Sequence, residues 1–385
     1  MLGAAIRIAQ RMGIHTEAAN VKHNVLEAEM RRRLWWSLVL FDARMSEITD
    51  LKLSNLIPTW DCKVPLNVND FDLRAEMKNP PIVYSQPSEG LFAVMRSEIG
   101  DFTRHDPAHL DFVNPAYKFL ANRRPSMRTL EADDLDALEH GLESKYLNSC
   151  EPENPLHFMT VWTTRIAIAK SRFLHQLSTS SHMTEDQREA QRDAGVLAAR
   201  TMLECDTKLM SSSLIKGFRW QIYLHFPFPA YVHLVQDLRK RPVGDHAEKA
   251  WVAMSENCTA RFMEMDNKDN PMDRKDNPFY RIFAGLVLQA WAARETATGQ
   301  SEVPPVIVSQ IRQRVADMQA QANGNDTPRT PEPMEFGSFE TLYDMGSINN
   351  MTPQSAPFPT DTAGFDNSQW GWPAPNWIPM LGQGW

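Results

Sequence analysis

Cysteine is scarce in this 385-residue chain: Cys62, Cys150, Cys205 and Cys258 stand far apart, and there is no CxxC pair. Structural zinc is held by cysteine and histidine ligands spaced a few residues apart, so the pattern argues for reduced thiols rather than a metal knuckle. Long apolar runs are missing as well. No window approaches the roughly 18 apolar residues that a membrane-spanning helix needs, and Arg7 and Arg11 interrupt the N-terminal stretch where a secretory signal would be apolar. These absences predict an intracellular chain with no membrane partner. Dense positive charge is also lacking. The formal net charge is −8, and the only cationic runs are Arg31-Arg32-Arg33 and Arg239-Lys240-Arg241. A duplex binder needs several Lys or Arg contacts to phosphate at physiological salt, so this chain by itself is a poor candidate for holding DNA. A Walker A loop, a dinucleotide glycine phrase, a GxSxG turn and an HExxH helix are all absent.

What remains is ordinary for a globular protein, with 42% hydrophobic and 23% charged residues. The length allows two or three domains. From residue 1 to about 323 one helical pattern follows another across polar connections, with no useful run of strand-like alternation. The fold class expected is all-α, a multi-helical array without a fixed-period repeat. Gly13 supplies a helix stop, and Thr184-Glu-Asp-Gln187 has the spacing of a capping box. Pro227 and Pro229 split the aromatic segment 218–241 into two helices.

The most informative stretch runs from Glu27 to Asp42, where three arginines lead directly into Trp35-Trp36. Leu26, Met30, Leu34, Leu38, Phe41, Met45 and Ile48 recur in steps of three or four and predict one apolar helix face. Glu27 and Glu29 stand four residues before Arg31 and Arg33, the favourable order for helical ion pairs. The residues alone give a core helix with a basic edge and buried tryptophans.

The wording of this stretch resembles the middle regulatory region of fungal zinc-cluster transcription factors. Glu29, Arg31, Arg32, Arg33, Trp35, Trp36 and Asp42 stand in the order found there, and the phrase from Asn55 to Asp70 around Pro65 is similar to the loop that follows. Phrases around Trp220 and Trp291 extend the likeness to about residue 295. The resemblance implies that the chain begins part-way into the family's region. It also implies a regulator of RNA polymerase II genes acting in the nucleus, with a metabolic or secondary-metabolite gene set as its target. The family's six-cysteine cluster, which holds two zinc ions and contacts DNA, has no counterpart here. No cofactor is therefore expected in this chain, and DNA contact falls to a missing segment or to a partner. The helical part, residues 1–323, would receive signals or form dimer contacts.

Composition changes after Asn323. Residues 324–385 hold nine prolines, one arginine, no lysine and seven acids, a composition that argues disorder. Aromatic residues are nevertheless frequent. Phe336, Phe339, Leu342 and Tyr343 lie near helical spacing and are expected anchors for transcription machinery or co-regulators.

Rival chemistry is thinner. Asp133-Asp134 is similar to the aspartate-rich metal sites of terpene-type cyclases, but acids are also favoured in a first helical turn. The segment Asn67–Asp70 lacks the spacing, glycine and glutamate of a calcium loop. Trp35, Trp36, Trp220 and Tyr223 are candidates to line an apolar pocket, with plain core the alternative. A third reading is an interaction scaffold that neither binds DNA nor activates.

Overall fold

The computed structural model describes residues 1–49, 56, 59–106, 109, 132–177, 184–262, 278–299 and 302–323. Among these residues there are α-helices and short 3-10 turns and no strand, as the sequence pattern requires. The helices are α1 (Leu2–Arg11), α2 (Glu17–Asn20), α3 (Val25–Thr49), α4 (Leu91–Thr103), α5 (Ala132–Lys145) and α6 (Pro155–Leu177). They continue as α7 (Glu185–Ser211), α8 (Arg219–Tyr223), α9 (Phe228–Lys240), α10 (Asp245–Phe262), α11 (Pro278–Thr298) and α12 (Val306–Asn323). The expected tail and its anchors Phe336, Phe339, Leu342 and Tyr343 lie outside the described residues.

Local chemistry sets the helix ends. Gly13 closes the α1 turn with φ +71°, a left-handed conformation that glycine adopts without a Cβ clash. Asn24 opens α3 by accepting the Glu27 N–H at 2.9 Å. Asn154 does the same for α6, accepting from Leu156 at 3.0 Å and His157 at 3.3 Å, with Pro155 in the first helical position. Thr184 and Gln187 form the expected reciprocal capping box at 2.9 and 3.3 Å. Pro227 stands between α8 and α9, where its ring removes one backbone donor and clashes with the preceding turn, and Pro229 sits in the first turn of α9, where a missing N–H is tolerated.

Four apolar clusters carry the packing. The largest joins α6, α7, α9, α10, α11 and α12 around Phe173, Leu203, Tyr231, Trp251 and Trp291. A second joins α4, α5 and α6 through Leu91, Met95, Leu142 and Tyr146. A third holds α1 and α3 against Trp60 and Cys62. The fourth lies where α6 meets the end of α7, Ile215 and Ile222. Helix α6 contributes to three of the four, through Phe173, Ile168 and Met159.

One expectation about α3 is overturned. The stripe from Leu26 to Met45 is not the buried face: Met30 is 52% exposed and Leu34 49%. The buried residues are Ala28, Glu29, Trp35, Trp36, Val39, Asp42 and Ser46, a face rotated by roughly 150° at 100° per residue. Ile48's side chain lies outside the described set. Area decides the orientation. Each tryptophan buries roughly 150–250 Å², about 4–6 kcal/mol of transfer free energy, against about 1.5–3 kcal/mol for a leucine or methionine. Two adjacent tryptophans therefore outweigh a thinner stripe of smaller side chains.

Candidate functional site

The buried face of α3 carries two acids as well as its tryptophans, and these acids hold the loop that follows the helix. Glu29 is fully buried and accepts the Leu66 N–H at 3.0 Å. The same carboxylate meets Arg33 at 3.1 Å and Arg32 at 3.6 Å. Asp42, also fully buried, accepts the Leu56 N–H at 3.1 Å. Trp36 Nε1 donates to the Lys63 carbonyl at 2.9 Å. Three residues of one helix, Glu29, Trp36 and Asp42, thus fix a loop of irregular backbone by supplying the partners its N–H and C=O groups need.

The arginine triplet is committed inward. Arg31 pairs with Glu27 at 2.9 Å and donates to the Met12 carbonyl at 3.2 Å, which ties α3 to the end of α1. Arg32 pairs with Glu17 of α2. Arg33 reaches Asp70 at 2.6 Å beyond its contact with Glu29. The Glu27–Arg31 and Glu29–Arg33 pairs form as the spacing predicts, but the second is not an exposed pair, because its carboxylate is buried. At Gly90 a Cβ would stand 3.0 Å from the Val68 carbonyl and 3.5 Å from Arg33 Nη2, so only glycine lets α4 start this close to the loop.

The loop polar residues are structural. Asn67 Nδ2 donates to the Tyr84 and Gln86 carbonyls at 2.9 and 2.8 Å, and Ser88 donates to Asn67 Oδ1 at 2.6 Å. Asn69 Oδ1 accepts the Glu89 N–H at 3.0 Å. These asparagines knit two loop segments together, which is the turn role expected for them in place of calcium ligation.

Between this loop and α4 lies a cleft of about 490 Å³, lined by Cys62, Lys63 and Pro65 on one side and by Glu98, Arg104, Lys145 and Tyr146 on the other. Arg104 spans it, donating to the Trp60 carbonyl at 2.8 Å and meeting Asp101 at 2.6 Å. Its guanidinium stands 4.9 Å from the Trp60 ring and 5.8 Å from that of Trp36. Glu98 accepts from the Tyr146 hydroxyl at 3.2 Å and from Lys145 at 3.4 Å. Burial pushes the Cys62 thiol up to about 12 and also raises the Tyr146 phenol. Neither is an activated nucleophile, since the reactive form is the thiolate or phenolate.

The expected pocket quartet does not assemble. Trp35 and Trp36 are core, with Trp60 edge-on to them at 5.8 and 6.2 Å. Trp220 is 65% exposed, and Tyr223 packs on a different apolar cluster. Trp291 is core against Trp251 at 5.6 Å, its Nε1 bonded to Glu295 at 2.7 Å. Of the motif residues, only Pro65 lines the cleft. Lys145, Tyr146 and Glu98 were missed by sequence reasoning, because nothing in their local wording marks them. Asp133 and Asp134 fall at the start of α5, where their side chains lie outside the described residues. Among the described residues no three His, Cys, Asp or Glu side chains converge as metal ligands, and no helix is long and apolar enough to cross a membrane.

Ion pairing gives this site a pH signature. Burial opposes the charge of Glu17, but Arg32 and the Lys63 N–H outweigh it and hold the carboxyl below its ordinary value of 4.5. A carboxyl with a depressed folded pKa stabilises fully above that ordinary value and loses its contribution as pH falls through the folded one. Glu17→Gln is therefore expected to lower the melting temperature at pH 7. The gap to the parent protein should close as pH is taken below about 4.5. Thermal melts of both proteins from pH 7 to pH 3 read this directly, and a gap that widens in acid contradicts it.

Residues 1–92 match the family described as fungal specific transcription factor domain. The chain is 51% identical over 326 residues to the transcriptional regulator AacuB of Aspergillus aculeatus, covering 83% of this chain and 43% of that protein. It is 44% identical over 339 residues to the transcriptional regulator nsrM of Aspergillus novofumigatus, covering 86% and 44%. Similarity to the aurofusarin cluster transcription factor aurR2 of Gibberella zeae is 25% over 377 residues, covering 92% and 53%. The chain thus spans about half the length, or less, of these curated relatives. No solved structure matches it.

Proposed function

We propose that this chain, whose residues 1–92 match the fungal specific transcription factor domain family, is the regulatory part of a nuclear transcription regulator. Its targets are RNA polymerase II genes, in particular a biosynthetic gene set. The observation that carries the reading is the 51% identity to a transcriptional regulator over 83% of the chain. The chain acts as an adaptor and not as an enzyme, and it needs no cofactor of its own. Cysteine-held zinc, with the basic residues that contact DNA, belongs to a segment outside these residues or to a partner.

The inward commitment of Arg31, Arg32 and Arg33 supports this division of labour. Their charges are spent on Glu27, Glu17, Glu29 and Asp70. Arg241 is likewise held by Asp193 at 2.6 Å and Asp237 at 2.9 Å. Guanidiniums paired this closely gain little when phosphate approaches, so Arg31, Arg32, Arg33 and Arg241 are poor phosphate contacts in a chain of net charge −8. Residues 324–385 are the proposed output, with acids keeping the segment solvated and Phe336, Phe339, Leu342 and Tyr343 docking into co-regulators of the transcription machinery. The helical part takes the regulatory input and any homodimer contact.

A fusion of residues 1–385 to a heterologous DNA-binding domain tests the proposal. Reporter expression is expected to rise, and to fall back to the level of the DNA-binding domain alone when residues 324–385 are removed. A joint Phe336→Ala, Phe339→Ala, Leu342→Ala, Tyr343→Ala variant should lose most of the signal. A silent full-length fusion would favour the scaffold reading instead.

A further inference from the structure

The fourth apolar cluster differs from the largest in reaching the surface. Among the described residues it has six buried members and seven partly buried ones, against twenty-eight and five in the largest cluster. Its open side is aromatic. Phe158 and Trp162, one turn apart on α6, lie 6.1 Å from ring to ring, and Leu156, Leu214 and Tyr223 pack on the same cluster. The segment that closes it, 214–223, carries Phe218 at 38% exposure and Trp220 at 65%. Cations edge this apolar side. Arg165 stands 4.9 Å from the centre of the Trp162 ring and Lys208 Nζ stands 5.8 Å from it, so two positive groups attend one indole. Lys216 is exposed on the closing segment. Lys208 and Lys216 have no ion pair among the described residues. Arg165 meets Glu143 at 3.4 Å, with both side chains part-exposed.

An aromatic strip edged by positive charge fits a partner that combines aromatic side chains with carboxylates. The chain itself contains one. Residues 335–345 read Glu-Phe-Gly-Ser-Phe-Glu-Thr-Leu-Tyr-Asp-Met, with three acids and no Lys or Arg, and Phe336, Phe339 and Tyr343 at three- and four-residue steps share one face of a helix. This segment also leaves the fold from the matching end. Ser255 Oγ accepts the Ile307 N–H at 3.4 Å, and Cys258 Sγ donates to Gln310 Oε1 at 3.5 Å. Both partners advance together, so α12 runs beside α10 in the same direction. It therefore ends past the Phe262 end of α10, where Ala260 enters the fourth cluster and Arg261 donates to the Ile222 carbonyl at 3.3 Å. The thirteen residues from Asn323 to Phe336 give a reach of about 40 Å, enough to return to α6 and the end of α7.

We propose that residues 335–345 dock intramolecularly on this face, with Phe336, Phe339 and Tyr343 against Phe158, Trp162 and Leu214, and with Glu335, Glu340 and Asp344 toward Lys208, Lys216 and Arg165. The tether makes the contact effectively unimolecular, so even a weak site is filled. The inference goes beyond the transcription reading and does not depend on it, since its readouts involve no reporter gene.

Zero-length carbodiimide cross-linking of the full chain joins lysine amines to carboxylates that touch them. Peptide mapping of the monomer band is expected to recover links from Lys208 or Lys216 to Glu335, Glu340 or Asp344. A second measurement vacates the face. The full chain carrying Phe336→Ala, Phe339→Ala, Leu342→Ala and Tyr343→Ala is titrated against a fluorescein-labelled peptide of residues 330–348, with anisotropy as the readout. The peptide should bind this open chain at least about tenfold more tightly than the parent, where the tethered copy competes at high effective concentration. Adding Lys208→Glu and Lys216→Glu to the open chain should abolish binding. Glu335→Lys, Glu340→Lys and Asp344→Lys in the peptide should restore it. Arg239→Glu with Lys240→Glu, an equal charge change at exposed positions on α9, should leave binding of the original peptide nearly unchanged. Equal affinity for parent and open chain overturns the proposal, as does binding that survives Lys208→Glu with Lys216→Glu. Links confined to a dimer band overturn it in favour of the tail of a second copy. No links and no peptide binding overturn it in favour of a foreign partner for this face.

Discussion

Asp206→Ala is expected to destabilise the chain by about 3–5 kcal/mol, the cost of stranding a buried cation. Asp206 and Arg261 are both almost fully buried on α7 and α10 and meet through two hydrogen bonds, one of them at 2.5 Å. Asn257 donates to the same carboxylate at 2.7 Å and accepts from the Tyr231 hydroxyl at 2.7 Å. Arg261 further donates to the Ile222 carbonyl at 3.3 Å and lies 5.1 Å from the Phe226 ring. The network thus joins α7, α8, α9 and α10. Removing the carboxylate leaves the guanidinium with the Ile222 carbonyl and no counter-charge in a low-dielectric core, where desolvation is not returned, while Asn257 keeps the Leu203 carbonyl and the Thr207 hydroxyl.

Replacing both charges at once should cost far less. An Asp206→Leu, Arg261→Met double variant is expected to recover most of the loss, since a well-packed apolar pair avoids both desolvation penalties. Urea midpoints for the parent, the two single variants and the double variant give the coupling as a double-mutant cycle. Additive losses would mean that the two residues do not act as a pair.

The second large effect belongs to Glu29. Glu29→Ala is expected to cost about 2–4 kcal/mol, because it deprives a buried Leu66 N–H of its acceptor and weakens the hold on Arg32 and Arg33. Those arginines keep Glu17 and Asp70 as partners, which places the cost below that of Asp206. Glu29→Gln should lose only about 1–2 kcal/mol, since its carbonyl still accepts from Leu66. Burial raises the Glu29 pKa against the pull of Leu66 and the two arginines, so neutralising this side chain also relieves a desolvated charge. Hydrogen exchange separates local from global effects. Glu29→Ala should speed exchange at the Lys63 and Leu66 amides well before that of the α7 core. Uniform acceleration across the chain would show that the acid stabilises the fold at large and does not latch one loop.

Near-neighbour chemistry was readable and the distant partners were not. The Thr184 capping box, the Gly13 stop, the proline break at 227–229 and the Glu27–Arg31 pair each involve residues within four positions, so spacing alone carries them. The Trp35–Trp36 pair was readable as core from its size. By contrast, Asp206 and Arg261 are 55 residues apart, Glu47 and Lys170 are 123 apart, and Arg44 and Leu224 are 180 apart. Single charged residues of this kind look the same in sequence whether they are solvated or buried. Trp220 shows the converse, an aromatic residue in an aromatic segment that folding leaves largely outside.

Sequence by itself determined that the chain is helical, where most helices begin and end, and which family its wording resembles. Those properties follow from periodicity, caps and wording that act within a few residues. Tertiary structure decided which face of α3 turns inward, that the arginine triplet is a clamp on a loop, and that Asp206 and Arg261 meet in the core. Each depends on how much area and charge distant helices bring to one place, a sum over the whole fold that no short window contains.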